Sequence, residues 1–347
     1  MFNIAEYKHI LDFDDYEIKP IKEERFDLES RLYKCIKSFC EAENKNKYIV
    51  SLSGGVDSMV IISILHHMNI GAVAIHINYN NRDEAVQEQQ FLEEWCEFNK
   101  IQLYVKSIKN VIRDNTPRSL YEETTKQIRF DFYKEIINLE QADNIILGHH
   151  KDDVVENIFT NVCKARSIFD LAVLKTQTYI DKVLILRPML SLDKDDIFKF
   201  ANTNQVPYFK DTTPKWSVRG KYRNNVYPQL VDTFGSNVKQ NLLRLSTQTE
   251  EWDSLITNNI VNPFICGCVF NNSNVKFSLK EYECFPNCFW DTILMRLFYH
   301  FGHSRPSKKG INTFVECIRS GKKRCTISIS KNSVCKLEDD TISIDFL

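Results

Sequence analysis

The chain has 347 residues, 43% hydrophobic and 26% charged, with a formal net charge of −1; that length predicts two or three domains, and the balance excludes wholesale attraction to nucleic acid. No run approaches the ~18 uninterrupted apolar residues of a membrane span. Eleven cysteines without a paired Cys-x-x-Cys, behind an acidic opening stretch, predict reduced thiols, no export or mitochondrial leader and a cytoplasmic location.

Residues 1–45 read as an N-terminal extension ending in a helix, Leu28–Glu43. Ile49–Leu52 follows as a short buried strand, and Ser53-Gly54-Gly55-Val56-Asp57-Ser58 then leads into an apolar helix, Ser58–Met68. Two glycines permit a tight turn in which backbone N–H groups converge on an anion. The positive N-terminus of the helix faces the same spot. Ser53 and Ser58 add hydroxyls, and Asp57 can hold a magnesium ion beside phosphates. A Walker A loop would need a Lys-Ser/Thr pair after its last glycine, and none is present. An ordinary Ser-Gly-Gly turn is the bland alternative, disfavoured by the strand before and the helix after.

Further strands are predicted at Ala72–Ile77, Gln102–Val105, Asn144–Leu147 and Val183–Leu186, with helices at Glu84–Asn99, Tyr121–Leu139, Asp153–Cys163 and Lys194–Asn204. This alternation predicts an α/β fold, a doubly wound parallel sheet covered on both faces, with ligands beyond the carboxyl ends of the strands. His76 sits at such an end, beside Asn78-Tyr79 and Arg82. Adenosine would lie there in this topology; a satisfied strand-end histidine is the competing reading. Glu122, Lys126, Arg129 and Tyr133 recur at helical spacing, either as a salt-bridged surface or, at Arg129 within its apolar frame, as an inward-pointing cation.

Gly148-His149-His150-Lys151-Asp152-Asp153-Val154-Val155-Glu156 is the second strong block. Asp153 and Glu156 share a helix face. These carboxylates suit magnesium beside a nucleotide or the orientation of an amine; Asp152 also reads as a helix N-cap, and His149 as a donor to a phosphate oxygen. A zinc site from His149, His150 and Asp153 is the weaker reading.

Pro207–Pro214 reads as a loop, with Asp211-Thr-Thr-Pro214 opening a third block in which Arg219, Lys221 and Arg223 suit an anion, either pyrophosphate or RNA backbone. Helices follow at Asn224–Phe234 and Asn237–Leu255, then a boundary near Asn258–Pro263. The tail alternates strands (Val275–Leu279, Cys325–Ile329, Thr341–Phe346) with an aromatic helix, Phe289–Phe301. Its basic stretch, Arg296–Arg324 with Lys308 and Lys322, is a local phosphate-binding surface or a solvated face. A zinc site from Cys266, Cys268, Cys284 and Cys288 is a minor reading. The resulting division is 1–45, 46–215 (nucleotide domain), 216–260 (helical linker) and 261–347 (small α+β domain).

Taken in order, these blocks resemble the tRNA(Ile)-lysidine synthetase family of the PP-loop ATP pyrophosphatase superfamily. The resemblance runs through Ser53–Ser58, His76 with Arg82, Lys126 with Arg129-Phe130, Gly148–Glu156, and Arg219 with Arg223 and Pro228-Gln-Leu230, with a looser likeness in Asp291–Phe346. The chain departs from the pattern at Tyr79, Lys126, Asn157 and Gly220. The resemblance implies an adenine nucleotide alpha-hydrolase-like fold, ATP and Mg2+ as cofactors, and tRNA(Ile) and free lysine as partners, with a homodimer left open. The wobble cytidine would be adenylated and lysine would displace AMP. It assigns catalysis to Asp57, Asp152, Asp153, Glu156 and Arg129, and metal binding to Asp57 and Asp153. ATP falls to Ser53, Gly54, Gly55, Val56, Asp57, Ser58, His76 and His149, and tRNA to Arg219, Lys221, Arg223, Lys308 and Lys322. A relative using another amine or base, and an inactive tRNA-binding module, are the competing expectations. A thiolase would need paired cysteines, and a glutamine amidotransferase would need a cysteine where Phe2 stands.

Overall fold

Short apolar runs separated by amphipathic stretches build a six-stranded sheet. The computed structural model describes residues 10–11, 16–18, 20–21, 26–81, 84–109, 116–167, 171, 174–210 and 217–347. Arg82 and the Asp211–Pro214 block lie outside the described residues. The chain divides into two units, Met1–Thr247 and Gln248–Leu347.

In the first unit β2 (Tyr48–Ser51), β3 (Ala72–Asn78), β4 (Leu103–Ser107), β5 (Asn144–Ile146) and β7 (Val183–Leu186) run parallel, and β6 (Gln177–Ile180) pairs antiparallel with β7. The order is β4-β3-β2-β5-β7-β6. From β2 the chain winds outward to β4 and then returns to the other side of β2 at β5. The strand order therefore reverses between β2 and β5, where open α/β sheets place their ligand crevice.

Alternation along the strands fills both faces. Tyr48, Val50, Leu184 and Leu186 point into a core shared with α1 (Arg31–Glu43), α2 (Val56–His67), α3 (Ala85–Phe98) and α6 (Lys194–Thr203). Ile49, Ile145, Val183 and Ile185 point to the opposite core, closed by Phe130, Phe132, Tyr133 and Ile136 of α4 (Arg118–Glu140). Helix α5 (Lys151–Cys163) follows β5.

Three differences from the sequence expectations have local causes. Helix α1 starts at Arg31 because Ser30 caps it, its hydroxyl accepting from Tyr33 N at 3.2 Å. Within the expected loop, Tyr208–Phe209 forms β8, which pairs in parallel with β1 (Ile10–Leu11), and Phe209 N donates to Gly54 O at 3.0 Å. Strand β6 was not anticipated: its hairpin turns through Asp181 and Lys182, both with positive φ, without the Asn-Gly or Asp-Gly that marks such a turn.

Ser217 caps α7 (Val218–Lys221), which continues through a π-turn, Tyr222–Val226, into α8 (Tyr227–Phe234). Helix α9 (Val238–Ile256) likewise continues through a π-turn, Thr257–Val261, into α10 (Asn262–Cys266), so the segment read as a boundary is helical. Each π-turn ends two residues before a proline, Pro228 or Pro263. The wider turn accommodates a ring that would otherwise strike the carbonyl four residues back.

The second unit carries an antiparallel sheet of β9 (Val269–Phe270), β10 (Asn274–Ser278), β11 (Arg324–Ser330), β12 (Ser333–Glu338) and β13 (Thr341–Phe346), ordered β11-β12-β13-β10-β9. Helices α11 (Asn287–His300) and α12 (Lys308–Arg319) join its core: Trp290, Ile293, Leu294 and Phe314 lie buried with Val275, Ile342 and Ile344.

Candidate active site

The turn after β2 depends on Gly54, whose φ of +81° favours glycine and whose place would bring any Cβ 3.2 Å from Phe209. The serines knit the turn together. Ser58 Oγ accepts from Ser53 N at 3.0 Å and donates to Gly55 O at 3.1 Å, and Ser53 Oγ accepts from Gly55 N at 3.3 Å. Beyond it α2 starts at Val56, and helix geometry leaves the amides of its first turn without intrahelical acceptors, facing outward from the sheet's carboxyl edge.

Asp57, in that first turn, receives the Lys194 ammonium on both oxygens, at 2.5 and 2.6 Å. Lys194 comes from the start of α6, its ammonium 5.2 Å from the centre of the Phe198 ring. The loop thus obtains from 137 residues away the lysine it lacks. Nothing in the local pattern at Lys194 announces this, and the sequence reading missed it.

The second block packs directly on the first. A Cβ at Gly148 would lie 2.9 Å from Asp57 Cβ and 3.3 Å from Ser58 N. The cap of α5 is His150, whose ring accepts from Asp152 N, while Asp153 accepts from His150 N at 3.0 Å. This corrects the reading of Asp152 as N-cap. His150 is 2% exposed, and its Nε2 lies 3.8 Å from Asp57 and 3.3 Å from Asp153. Burial drives its pKa down, so the imidazole is neutral near pH 7.

Asp153 and Glu156 share a helix face as expected, and both meet the same two arginines. Arg223 Nη2 reaches Asp153 at 2.8 Å and its Nε reaches Glu156 at 3.0 Å; Arg219 also pairs with Asp153 and lies 3.5 Å from Glu156. Burial pushes the Asp153 carboxyl up, but His150, Arg219 and the His150 backbone N–H outweigh it and hold the group at about 2. At Glu156 burial prevails and raises the pKa. Asp152 has both oxygens engaged, one by Lys239 and the other by Lys194 N at 3.2 Å. Asp193 completes that cluster with Lys239 at 2.7 Å and Lys151 at 2.9 Å.

His149 accepts at Nδ1 from Arg187 Nε at 3.1 Å, and burial lowers its pKa to about 4. His76 is buried, its Nδ1 2.9 Å from Leu52 O. Arg129 is half-buried, stacked over Phe130 with its Nε buried and without a hydrogen bond among the described residues, while its neighbour Tyr133 contacts Ser51 Oγ at 3.3 Å. Lys126 is exposed beside Asp181.

The structure therefore gathers Asp57, His149, His150, Asp152, Asp153, Glu156, Arg219 and Arg223 at the switch point, and adds Lys194, Lys239, Asp193 and Arg187. Lys221 is an exposed residue of α7, and Lys308 and Lys322 are exposed residues of the second unit. Asp57 and Asp153 flank one imidazole and offer oxygen donors only, a set that suits Mg2+ completing its shell from phosphates and water. Cys266, Cys268, Cys284 and Cys288 are free thiols, and among the described residues no group of three or more His, Cys, Asp or Glu is placed to hold a metal. That corrects both zinc readings.

Such an arrangement can bind a polyphosphate at helix amides, neutralise it with lysine and arginine, and take up a proton at Glu156.

Residues 27–230, more than half of the chain, match the family described as the PP-loop domain. A tRNA(Ile)-lysidine synthase from Chlamydia trachomatis serovar D is 26% identical over 285 residues, covering 82% of this chain and 88% of that protein. One from Chlamydia felis is 25% identical over 215 residues, covering 61% and 67% respectively. The solved U34-tRNA thiolase NcsA from Methanococcus maripaludis has a TM-score of 0.50 at 17% identity, covering 63% of this chain and 78% of that one, a likeness of fold.

Proposed function

Because the chain belongs to the PP-loop domain family, we propose that it is an ATP-using tRNA-modifying enzyme that adenylates the wobble cytidine of a tRNA(Ile) and replaces AMP with lysine. The observation that carries this is the seating of Gly148–Glu156 against Ser53–Ser58 at the switch point between β2 and β5, with acids and a neutral imidazole facing a phosphate-shaped turn. The tRNA(Ile)-lysidine synthase relatives support the substrate assignment.

In this reading the first-turn amides of α2 receive the β- and γ-phosphates, and Lys194 moves from Asp57 to a phosphate oxygen. Asp57 and Asp153 would hold Mg2+, which supplies charge neutralisation to the departing pyrophosphate. The cytidine O2 attacks the α-phosphorus and the bond to pyrophosphate breaks. The neutral ε-amine of lysine then attacks C2, AMP leaves with the former O2, and the proton passes to Glu156, whose raised pKa suits a base. Asp152, held on both oxygens, orders the floor of the site. His76 and His149 border the nucleotide, and Arg129 faces the reacting end. Arg219, Lys221, Arg223, Lys308 and Lys322 contact tRNA, and the enzyme works in the cytoplasm.

The test is nucleoside mass spectrometry of a tRNA pool incubated with the chain, ATP and isotopically labelled lysine, beside a pyrophosphate-release assay. Labelled lysidine is expected, and Asp57→Ala abolishes tRNA-dependent release while its melting curve shows a folded chain. Release that continues in Asp57→Ala, or a labelled amine other than lysine entering the base, overturns the corresponding part of the scheme.

A further inference from the structure

We propose that Arg187 is a positioning residue that fixes His149 as a hydrogen-bond donor, through Nε2, to an anionic oxygen of the bound nucleotide. This deepens the reading above and rests on it for the identity of the anion.

The argument starts from register. β5 and β7 are parallel neighbours with Ile146 opposite Leu186, and Leu147 N donates to Leu186 O at 2.9 Å. The residues just beyond, His149 and Arg187, therefore emerge together at the carboxyl edge. Arg187 is 3% exposed. Its Nη1 donates to Lys175 O at 2.8 Å and to Thr178 Oγ1 at 3.2 Å, which sets the guanidinium plane, and its Nε donates to His149 Nδ1 at 3.1 Å.

A guanidinium has donors and no acceptor. The Nδ1 it addresses must carry a lone pair, so the single proton of a neutral ring sits on Nε2. Protonating the ring would place a second cation against a buried one, and burial, with Arg187, Arg219 and His150 outweighing the pull of Asp153, holds the His149 pKa at about 4. Among the described residues the hydrogen-bond partners of Arg187 are a carbonyl, a hydroxyl and an imidazole, all neutral. A buried cation held only by neutral groups is costly, and its field favours an anion at the edge it lines. A histidine fixed in this way donates without titrating, a different role from that of a general acid.

The competing account is that Arg187 merely fastens the β6–β7 hairpin to the β5 loop. Nitrogen-15 NMR of histidine-labelled chain separates the two, the His149 signal being identified by its loss in His149→Gln. The native chain should show the Nε2–H tautomer from pH 8 down to pH 5, and Arg187→Met a tautomer mixture with turnover per folded molecule reduced about 100-fold. Arg187→Lys should not restore it, since a point ammonium cannot serve three acceptors in a plane. His149→Gln, whose amide nitrogen overlays Nε2, should lose about tenfold in pyrophosphate release and His149→Asn about 100-fold or more.

A native Nδ1–H tautomer or imidazolium overturns the proposal, as does an Arg187→Met chain that melts lower with tautomer and turnover unchanged. Should Arg187→Met not fold, the native tautomer and the Gln/Asn pair decide. A native chain that releases no pyrophosphate with tRNA defeats the functional reading, while the tautomer measurement still judges the Arg187–His149 pairing.

Discussion

At Gly148 a single hydrogen atom separates the two halves of the site, since a methyl there would sit 2.9 Å from Asp57 Cβ. Gly148→Ala is therefore expected to cost about 1–3 kcal/mol in overpacking and to reduce pyrophosphate release at least tenfold by displacing Asp57; a melting curve and an exchange assay check both. His149 sets a pH dependence with a definite sign. Its native pKa of about 4 lies below the ordinary 6.5, so between those values the unfolded chain binds a proton the native site refuses. Stability accordingly falls as pH drops from 6.5 to 4, by at most about 3 kcal/mol. His149→Gln should reduce that slope in urea titrations run across the window, leaving the share of His150, whose pKa burial also lowers. Below it Asp153 takes over: its contribution is complete above the ordinary carboxylate value and is lost as pH falls toward about 2. The individual acids were legible in the sequence because strand, glycine turn and helix adjoin each of them. Their counter-ions were not. Lys194, Lys239 and Arg187 belong to other elements, and only folding brings them to Asp57, Asp152 and His149.

Elements with a strong period were legible to within a residue or two, as with Val183–Leu186 and Lys194–Thr203. Those that failed had weak or contrary local cues. β6 turns without glycine, and β8 is two residues long and needs β1 beside it. Helix α1 shows how pattern and position diverge: the helix was legible as the end of an extension, but its membership of the main core was not. Ile36 is 0% exposed and packs in the core that contains Val50 and Leu186. Ile36→Ala should cost about 2–5 kcal/mol. A chain lacking residues 1–45 should accordingly fail to unfold cooperatively in urea, whereas an appendage could be removed with the transition intact.

Each unit has buried cores of its own, two against the faces of the first unit's sheet and one in the second. Phe314 is fully buried in the second unit, and Phe314→Ala should weaken that unit by about 3–5 kcal/mol. Hydrogen-exchange mass spectrometry should locate the lost protection within 248–347 and leave the peptides of β2 and β5 protected. Within the first unit, the strand order carries a consequence for synthesis. β2 (Tyr48–Ser51), apolar and central, gains its second neighbour only when Asn144–Ile146 has been made. A growing polypeptide therefore leaves the ribosome with its middle strand bare along one side for nearly a hundred residues, an invitation to mispairing. Nascent chains arrested before Asn144 should bind chaperones and resist native-like proteolytic protection, and chains arrested beyond Leu186 should acquire it abruptly.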